Sequence, residues 1–120
     1  MEQVRSIRTF IGAKDYNQSR EFYLEWGFKE YKTSEKMSFF YMGKVGFYLQ
    51  DYYVKDWVDN TMAFLEVENL EEYWKEVKSK ELDRKFKGVR YVEPKELEWG
   101  SEGFIYDPSG VLWHVGNFKN

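Results

Sequence analysis

Residues 6–33 read SIRTFIGAKDYNQSREFYLEWGFKEYKT, and this stretch alone predicts a strand, a capped helix and a second strand. Ser6–Ala13 is short, apolar and rich in β-formers (Ile7, Thr9, Phe10, Ile11), the pattern of a strand. Asp15 stands where an N-cap would. After it Tyr16, Ser19, Phe22, Tyr23 and Trp26 recur at three- and four-residue spacing, one face of an amphipathic helix that Gly27 ends. Phe28–Thr33 is the next strand. Met37–Met42 and Val45–Gln50 follow it, separated by the turns Ser34-Glu35-Lys36 and Gly43-Lys44.

The same order then repeats. Thr61–Val67 predicts a strand, Asn69 a cap, and Leu70, Tyr73, Trp74 and Val77 a helix face. Val89–Val92, Gly103–Tyr106 and Leu112–Asn117 predict strands, broken at Gly100 and at Asp107-Pro108-Ser109-Gly110. Asp51–Asn60 reads as a linker between two modules, about residues 1–53 and 60–120. A strand, a helix and three strands, twice over, suggests an internal duplication. Neither half is large enough to bury its own sheet face, so the two sheets are expected to share one centre.

At 120 residues the chain has the size of a single domain. It has no cysteine, which excludes a disulfide framework, thiolate metal ligation and thiol catalysis. No apolar stretch approaches the roughly 18 residues of a membrane span, and the N-terminus has no apolar signal core, so a soluble, cytoplasmic protein is expected. Net charge is −3 and the 18 basic residues are scattered, with Glu81 and Asp83 interrupting the densest run, Lys78–Lys87. That argues against a nucleic-acid face, and the run reads as a solvated helix end and loop. Phe, Trp and Tyr make up 21% of the chain. That is more than a core alone calls for, and Tyr and Trp suit the half-wet wall of a pocket or a subunit interface.

Ala13-Lys14-Asp15, Glu21-Phe22-Tyr23 and Trp26-Gly27-Phe28 resemble the D-x7-Y-x3-GF motif of the glyoxalase/bleomycin-resistance/extradiol-dioxygenase (vicinal-oxygen-chelate) superfamily. Asp107-Pro108-Ser109-Gly110 with Val111–His114 resembles its DPxG turn and last strand. Asp59-Asn60-Thr61, Leu70-Glu71-Glu72-Tyr73 and Trp99-Gly100-Ser101-Glu102 are most similar to the bleomycin-resistance branch. The resemblance implies an α+β fold of two βαβββ modules, forming a curved mixed sheet around a ligand cup with helices outside, in a homodimer.

In the superfamily's metalloenzymes, ligands come from the first, fifth and last strands. The matching positions here are Arg8, Met62 and His114. A guanidinium is permanently positive and a thioether is soft, so two of the three cannot hold Mg²⁺, Mn²⁺, Zn²⁺ or Fe²⁺. The resemblance therefore implies a protein that needs no metal or other cofactor and sequesters its ligand.

Strand alternation sets which residues face the cup. With Arg8 inward, Phe10 joins it and Ile7, Thr9 and Ile11 turn to the helix. Met62, Phe64 and Glu66 face the cup on the fifth strand; Glu102, Phe104 and Tyr106 on the seventh; Leu112 and His114 on the eighth. Phe39, Tyr41 and Tyr48 are further candidates, and the resemblance gives Trp99 a place beside the ligand. Carboxylates among aromatic faces suit a cationic or aromatic small molecule.

Other roles are open for several of these residues. His114 is either a hydrogen-bonded pocket histidine or a base, and Arg8 either serves a ligand or pairs with Glu66 or Glu102. Phe10, Phe64 and Phe104 either line the cup or fill it. The leading reading is a small-molecule binding protein. The alternatives are a metal-independent enzyme using Arg8, Glu66 or Glu102 and His114, and a structural or regulatory dimer with a closed cup.

Overall fold

The structure is a computed structural model that describes residues 1–119; Asn120, the end of the second module, lies outside the described residues. It contains two mixed four-stranded sheets, each with one parallel and two antiparallel pairings. The first runs β1 (Phe10–Gly12), β4 (Val45–Gln50), β3 (Met37–Met42), β2 (Lys29–Ser34) from edge to edge. The second runs β5 (Met62–Glu66), β8 (Leu112–Phe118), β7 (Gly100–Tyr106), β6 (Arg90–Glu96). β1 lies parallel to β4 and β5 parallel to β8, and all other pairings are antiparallel, so each module repeats one topology.

The main helices form where their caps predict. In α1 (Tyr16–Trp26) the Asp15 side chain accepts from the Gln18 N–H at 3.1 Å, and Gly27 closes the helix at φ 127°, a conformation that suits glycine. In α3 (Leu70–Ser79) Asn69 caps the Glu72 N–H in the same way. Glu71 and Glu72 in the first turn and Lys78 in the last complement the helix dipole.

The shared centre forms as expected. Tyr23 and Trp26 of α1 pack against Phe28 and against Trp113 of β8 in the second sheet, with ring centroids 5.1–5.9 Å apart. Asp107, fully buried, locks the joint. Its Oδ2 accepts from the Tyr23 hydroxyl at 2.6 Å and its Oδ1 from the N–H groups of Ser109, Gly110 and Val111 at 2.9 Å each. Trp113 Nε1 donates to the same Tyr23 oxygen at 2.9 Å. Burial pushes the Asp107 carboxyl up to about 6 against those hydrogen bonds, and burial followed by the Asp107 charge pushes the Tyr23 phenol well above its ordinary value.

The structure corrects several boundaries. The first strand is only Phe10–Gly12, because its partner β4 begins to pair with it at Tyr48 and, among the described residues, no backbone hydrogen bond reaches residues before Thr9. Ile7, expected against the helix, is 93% exposed. The linker contains a helix, α2 (Lys55–Asp59), that buries Val58. The Lys78–Lys87 stretch is not simply solvated, since α4 (Leu82–Lys85) carries Leu82 into the core with Phe86 behind it. β6 and β7 are longer than expected, β7 starting at Gly100 rather than breaking there. β6 crosses Pro94 at an irregularity in its register, tolerable because β6 is an edge strand. Among the described residues no helix is long and apolar enough to cross a membrane.

Candidate functional site

Each sheet turns one face to the core and leaves the other open. Phe40, Phe47, Leu49 and Ile11 are buried on the first sheet, and Ile105, Trp113 and Val115 on the second. The residues alternating with them form two walls, one per module, and they include every candidate except Trp99, from the turn before β7, and Arg8, which precedes β1 and reaches the first wall through its side chain.

On the first wall Phe10 stacks on Tyr48 at 4.8 Å, Phe39 meets Tyr48 at 5.3 Å and Phe39 stacks on Tyr41 at 5.5 Å. The Arg8 guanidinium lies 4.1 Å above the Phe39 ring and donates to the Tyr48 hydroxyl at 3.0 Å. Arg8 is thus spent on neither Glu66 nor Glu102 within the chain. Gly46 makes the flat packing possible, for a Cβ there would stand 2.7 Å from the Phe39 ring. Beside this wall a cavity of about 730 Å³ is lined by Arg5, Ser6, Arg8, Phe39 and Lys44 among others.

The second wall gathers Phe64, Trp99 and Phe118 into a cluster with centroids 5.2–6.0 Å apart. Gly116 leaves room for it, since a Cβ there would lie 3.0 Å from Phe64 Cζ. Phe104 meets His114 edge-on at 5.0 Å. Glu102 Oε1 is 2.5 Å from His114 Nδ1, and His114 Nε2 is 3.4 Å from Met62 Sδ. Glu66 shares the face of Met62 and Phe64 and is exposed. Tyr106, also on this wall, is covered by the Arg90 guanidinium at 4.1 Å.

Phe10 and Phe64 are 53% and 43% exposed, so the rings line open faces rather than fill a closed space. Within the described chain the two walls make no aromatic contact with each other; at the seam between modules lies a small cavity of about 140 Å³ edged by Thr9, Phe47, Phe64 and Trp113. The larger grooves near Trp74 and at the start of α1 lie away from both walls.

Sequence reasoning left Phe118 out of the site. Ending the last strand at Asn117 hid it, whereas carrying the alternation of Leu112 and His114 through Gly116 reaches it. Lys44 and Arg5 were also missed, because only the folded chain sets the turn between β3 and β4 beside the N-terminal arm.

A hard divalent ion does not fit this donor set. Arg8 is on the first wall, bound to Tyr48, while Met62 and His114 are on the second. Among the described residues no three His, Asp or Glu side chains come together. A thioether and one imidazole, with the imidazole already tied to Glu102, are a poor set for Mg²⁺, Mn²⁺ or Fe²⁺.

No protein-family model matches the sequence, and no curated protein matches it significantly. Solved structures do match in fold. The bleomycin-binding protein from bleomycin-producing Streptomyces verticillus, complexed with copper(II)-bleomycin, superposes with a TM-score of 0.81 at 18% identity, over 99% of this chain and 100% of that one. A bleomycin resistance determinant encoded on the transposon Tn5 gives 0.79 at 16% identity, over 96% of this chain and 99% of that one. A putative glyoxalase family protein from Bacillus anthracis gives 0.72 at 14% identity, over 99% of both chains. With its two repeated modules, its Asp107–Tyr23 joint and these superpositions, the chain has the fold of the glyoxalase/bleomycin-resistance superfamily.

Proposed function

We propose that the protein sequesters a small cationic or aromatic compound in the cytoplasm, without a divalent metal, as a homodimer. The observation that carries this reading is the pair of open aromatic walls, each preassembled by ring stacking and each unfaced by the rest of its own chain. Flat exposed rings beside carboxylates gain by covering a planar or cationic ligand. The likeness in fold to a bleomycin-binding protein and to a bleomycin resistance determinant supports the ligand class.

The homodimer is supported by what the single chain leaves bare. Val4 and Ile7, 87% and 93% exposed, project from an N-terminal arm without a neighbouring strand, and exposed apolar surface of this kind marks an interface. The walls also differ in charge: the first has Arg8 with Arg5 and Lys44 beside it, whereas the second carries both signs, Glu66 and Glu102 together with Arg90 and Lys95. A second copy could set one wall against the other and close the cup.

The test is titration with bleomycin and with simpler planar cations, followed by Trp fluorescence, with and without EDTA. Saturable quenching that survives EDTA and weakens in Trp99→Ala is expected. Ligand uptake only with an added divalent metal, or metal-dependent turnover, would overturn the proposal.

One observation favours a second reading. The Glu102–His114 pair has the geometry of a carboxylate-oriented base with Nε2 toward the open face. Arg8 takes no part in it within the chain. Turnover of a candidate substrate that survives His114→Ala would remove this reading and leave binding in place.

A further inference from the structure

We infer that the first wall takes a planar aromatic compound bearing an oxyanionic group, with Arg5, Arg8 and Lys44 on the anion and the strand aromatics against the ring. The inference rests on the reading that the walls bind a small molecule. It gives the first wall a ligand of opposite charge to a planar cation.

The strands supply the apolar part. Tyr31 of β2 lies opposite Phe39 of β3, Phe39 opposite Tyr48 of β4, and Tyr48 opposite Phe10 of β1. One line of register thus carries an aromatic side chain on every strand of the sheet. With strands about 4.8 Å apart, that line runs roughly 14 Å. Its two ends, Tyr31 and Phe10, are 66% and 53% exposed, so the line is open along its length. A planar ring gains from contact with such a row whether edges or faces meet it.

The cations stand beside it. The cavity of about 730 Å³ next to Phe39 is lined by Arg5, Arg8 and Lys44 with Ser6, and by no carboxylate. The strand positions on this face hold no Asp or Glu either, and they add Lys29. Among the described residues Arg5, Arg8 and Lys44 make no ion pair, although the chain as a whole carries a net charge of −3. Like charges gathered without a counter-charge repel, and an oxyanion between them relieves the repulsion.

Two of these cations are held in place. Arg8 donates to the Tyr48 hydroxyl at 3.0 Å and lies 4.1 Å over the Phe39 ring. The next residue, Thr9, is tied to β4, its carbonyl accepting the Tyr48 N–H at 2.9 Å. A guanidinium has several N–H groups, so those not spent on Tyr48 remain for the forked grip that suits carboxylate, sulfate or phosphate. Lys44 sits in the two-residue turn between Met42 and Val45, which Gly43 closes at φ 56°. Cations already ordered lose less entropy on meeting an anion.

The experiment titrates ¹⁵N-labelled protein with 2-naphthyl phosphate, 2-naphthyl sulfate and 2-naphthoate. Neutral 2-naphthol, cationic 1-naphthylmethylammonium and inorganic phosphate are the comparisons. At least one naphthyl oxyanion should bind about tenfold tighter than all three comparisons by calorimetry, and it should shift the Lys44, Gly46 and Tyr48 amide signals. Arg8→Gln should weaken that binding about tenfold and Lys44→Gln about threefold. Both side chains are exposed, so neither change threatens the fold. Equal binding of the cationic ring or of inorganic phosphate would overturn the inference. So would affinity that ignores both substitutions, or shifts confined to the Trp99 indole and the second wall. No Trp lies on the first wall, so the fluorescence titration with planar cations reads sequestration separately, and that reading can stand if this one fails.

Discussion

The two walls are built to one plan and furnished differently. Tyr48 on β4 and His114 on β8 occupy equivalent places, each opposite a phenylalanine of the neighbouring parallel strand, Phe10 and Phe64. In both modules the residue two positions before that phenylalanine meets the β4 or β8 side chain: Arg8 donates to Tyr48, and Met62 touches His114. The first trio holds a permanent cation on an aromatic face. The second holds a thioether, an imidazole and, through Glu102, a carboxylate. Strand register thus decides which three side chains meet, while their identity decides what the meeting can bind. A duplicated scaffold can keep the first and change the second.

That comparison depends on the core keeping both walls in place, and the largest effect should come from breaking it. Trp113 lies beneath both modules, touching Tyr23, Trp26, Phe28 and Phe47. Trp113→Ala should cost about 3–5 kcal/mol in urea unfolding and loosen both walls together. A loss below ~1 kcal/mol would mean that the modules hold their shape separately.

A smaller effect should appear with pH through Asp107. Its folded carboxyl titrates at about 6 rather than 3.8, so the folded state holds the proton more tightly than the unfolded chain. That contribution is complete below about pH 4 and is lost as pH rises through 6. Two units at about 1.4 kcal/mol each put it near 3 kcal/mol. Relative to Asp107→Asn, the wild type should therefore lose stability by roughly this amount between pH 4 and pH 7. A constant difference across that range would show that the hydrogen bonds from Tyr23 and the turn offset the cost of burial.

The smallest effect sharpens the contrast between the walls. Tyr48→Phe removes one exposed hydrogen bond and should cost less than ~1 kcal/mol by thermal unfolding. It should leave the ¹³C methyl signal of Met62 where it was. Movement of that signal would mean that the walls communicate through the core.

Much of the fold could be read directly from residues that act locally. Asp15 and Asn69 cap the helices they were expected to cap, and Met37–Met42 and Val45–Gln50 form the strands with the expected bounds. Tyr23 and Asp107, read as separate family signatures, turn out to be one buried hydrogen bond. Both side chains lie in the buried joint between the modules, away from the open faces. The helix in the linker and the burial of Leu82 and Phe86 were not legible, because short helices draw their stability from packing more than from propensity.

For the site, alternation along each strand placed the candidates on open faces, since the period of two is a local property of extended chain. It could not say that Arg8 would be held by Tyr48 instead of Glu102, or that Glu102 would reach His114. Those contacts join residues 40 and 12 positions apart, respectively, through cross-strand register and sheet order. The sequence by itself determined the modules, the caps, the aromatic faces and the poor fit of Arg8 and Met62 to a hard metal ion. Only the tertiary structure decided which side chains meet, because a strand's facing follows from its own residues while its neighbour follows from the pairing of the whole sheet.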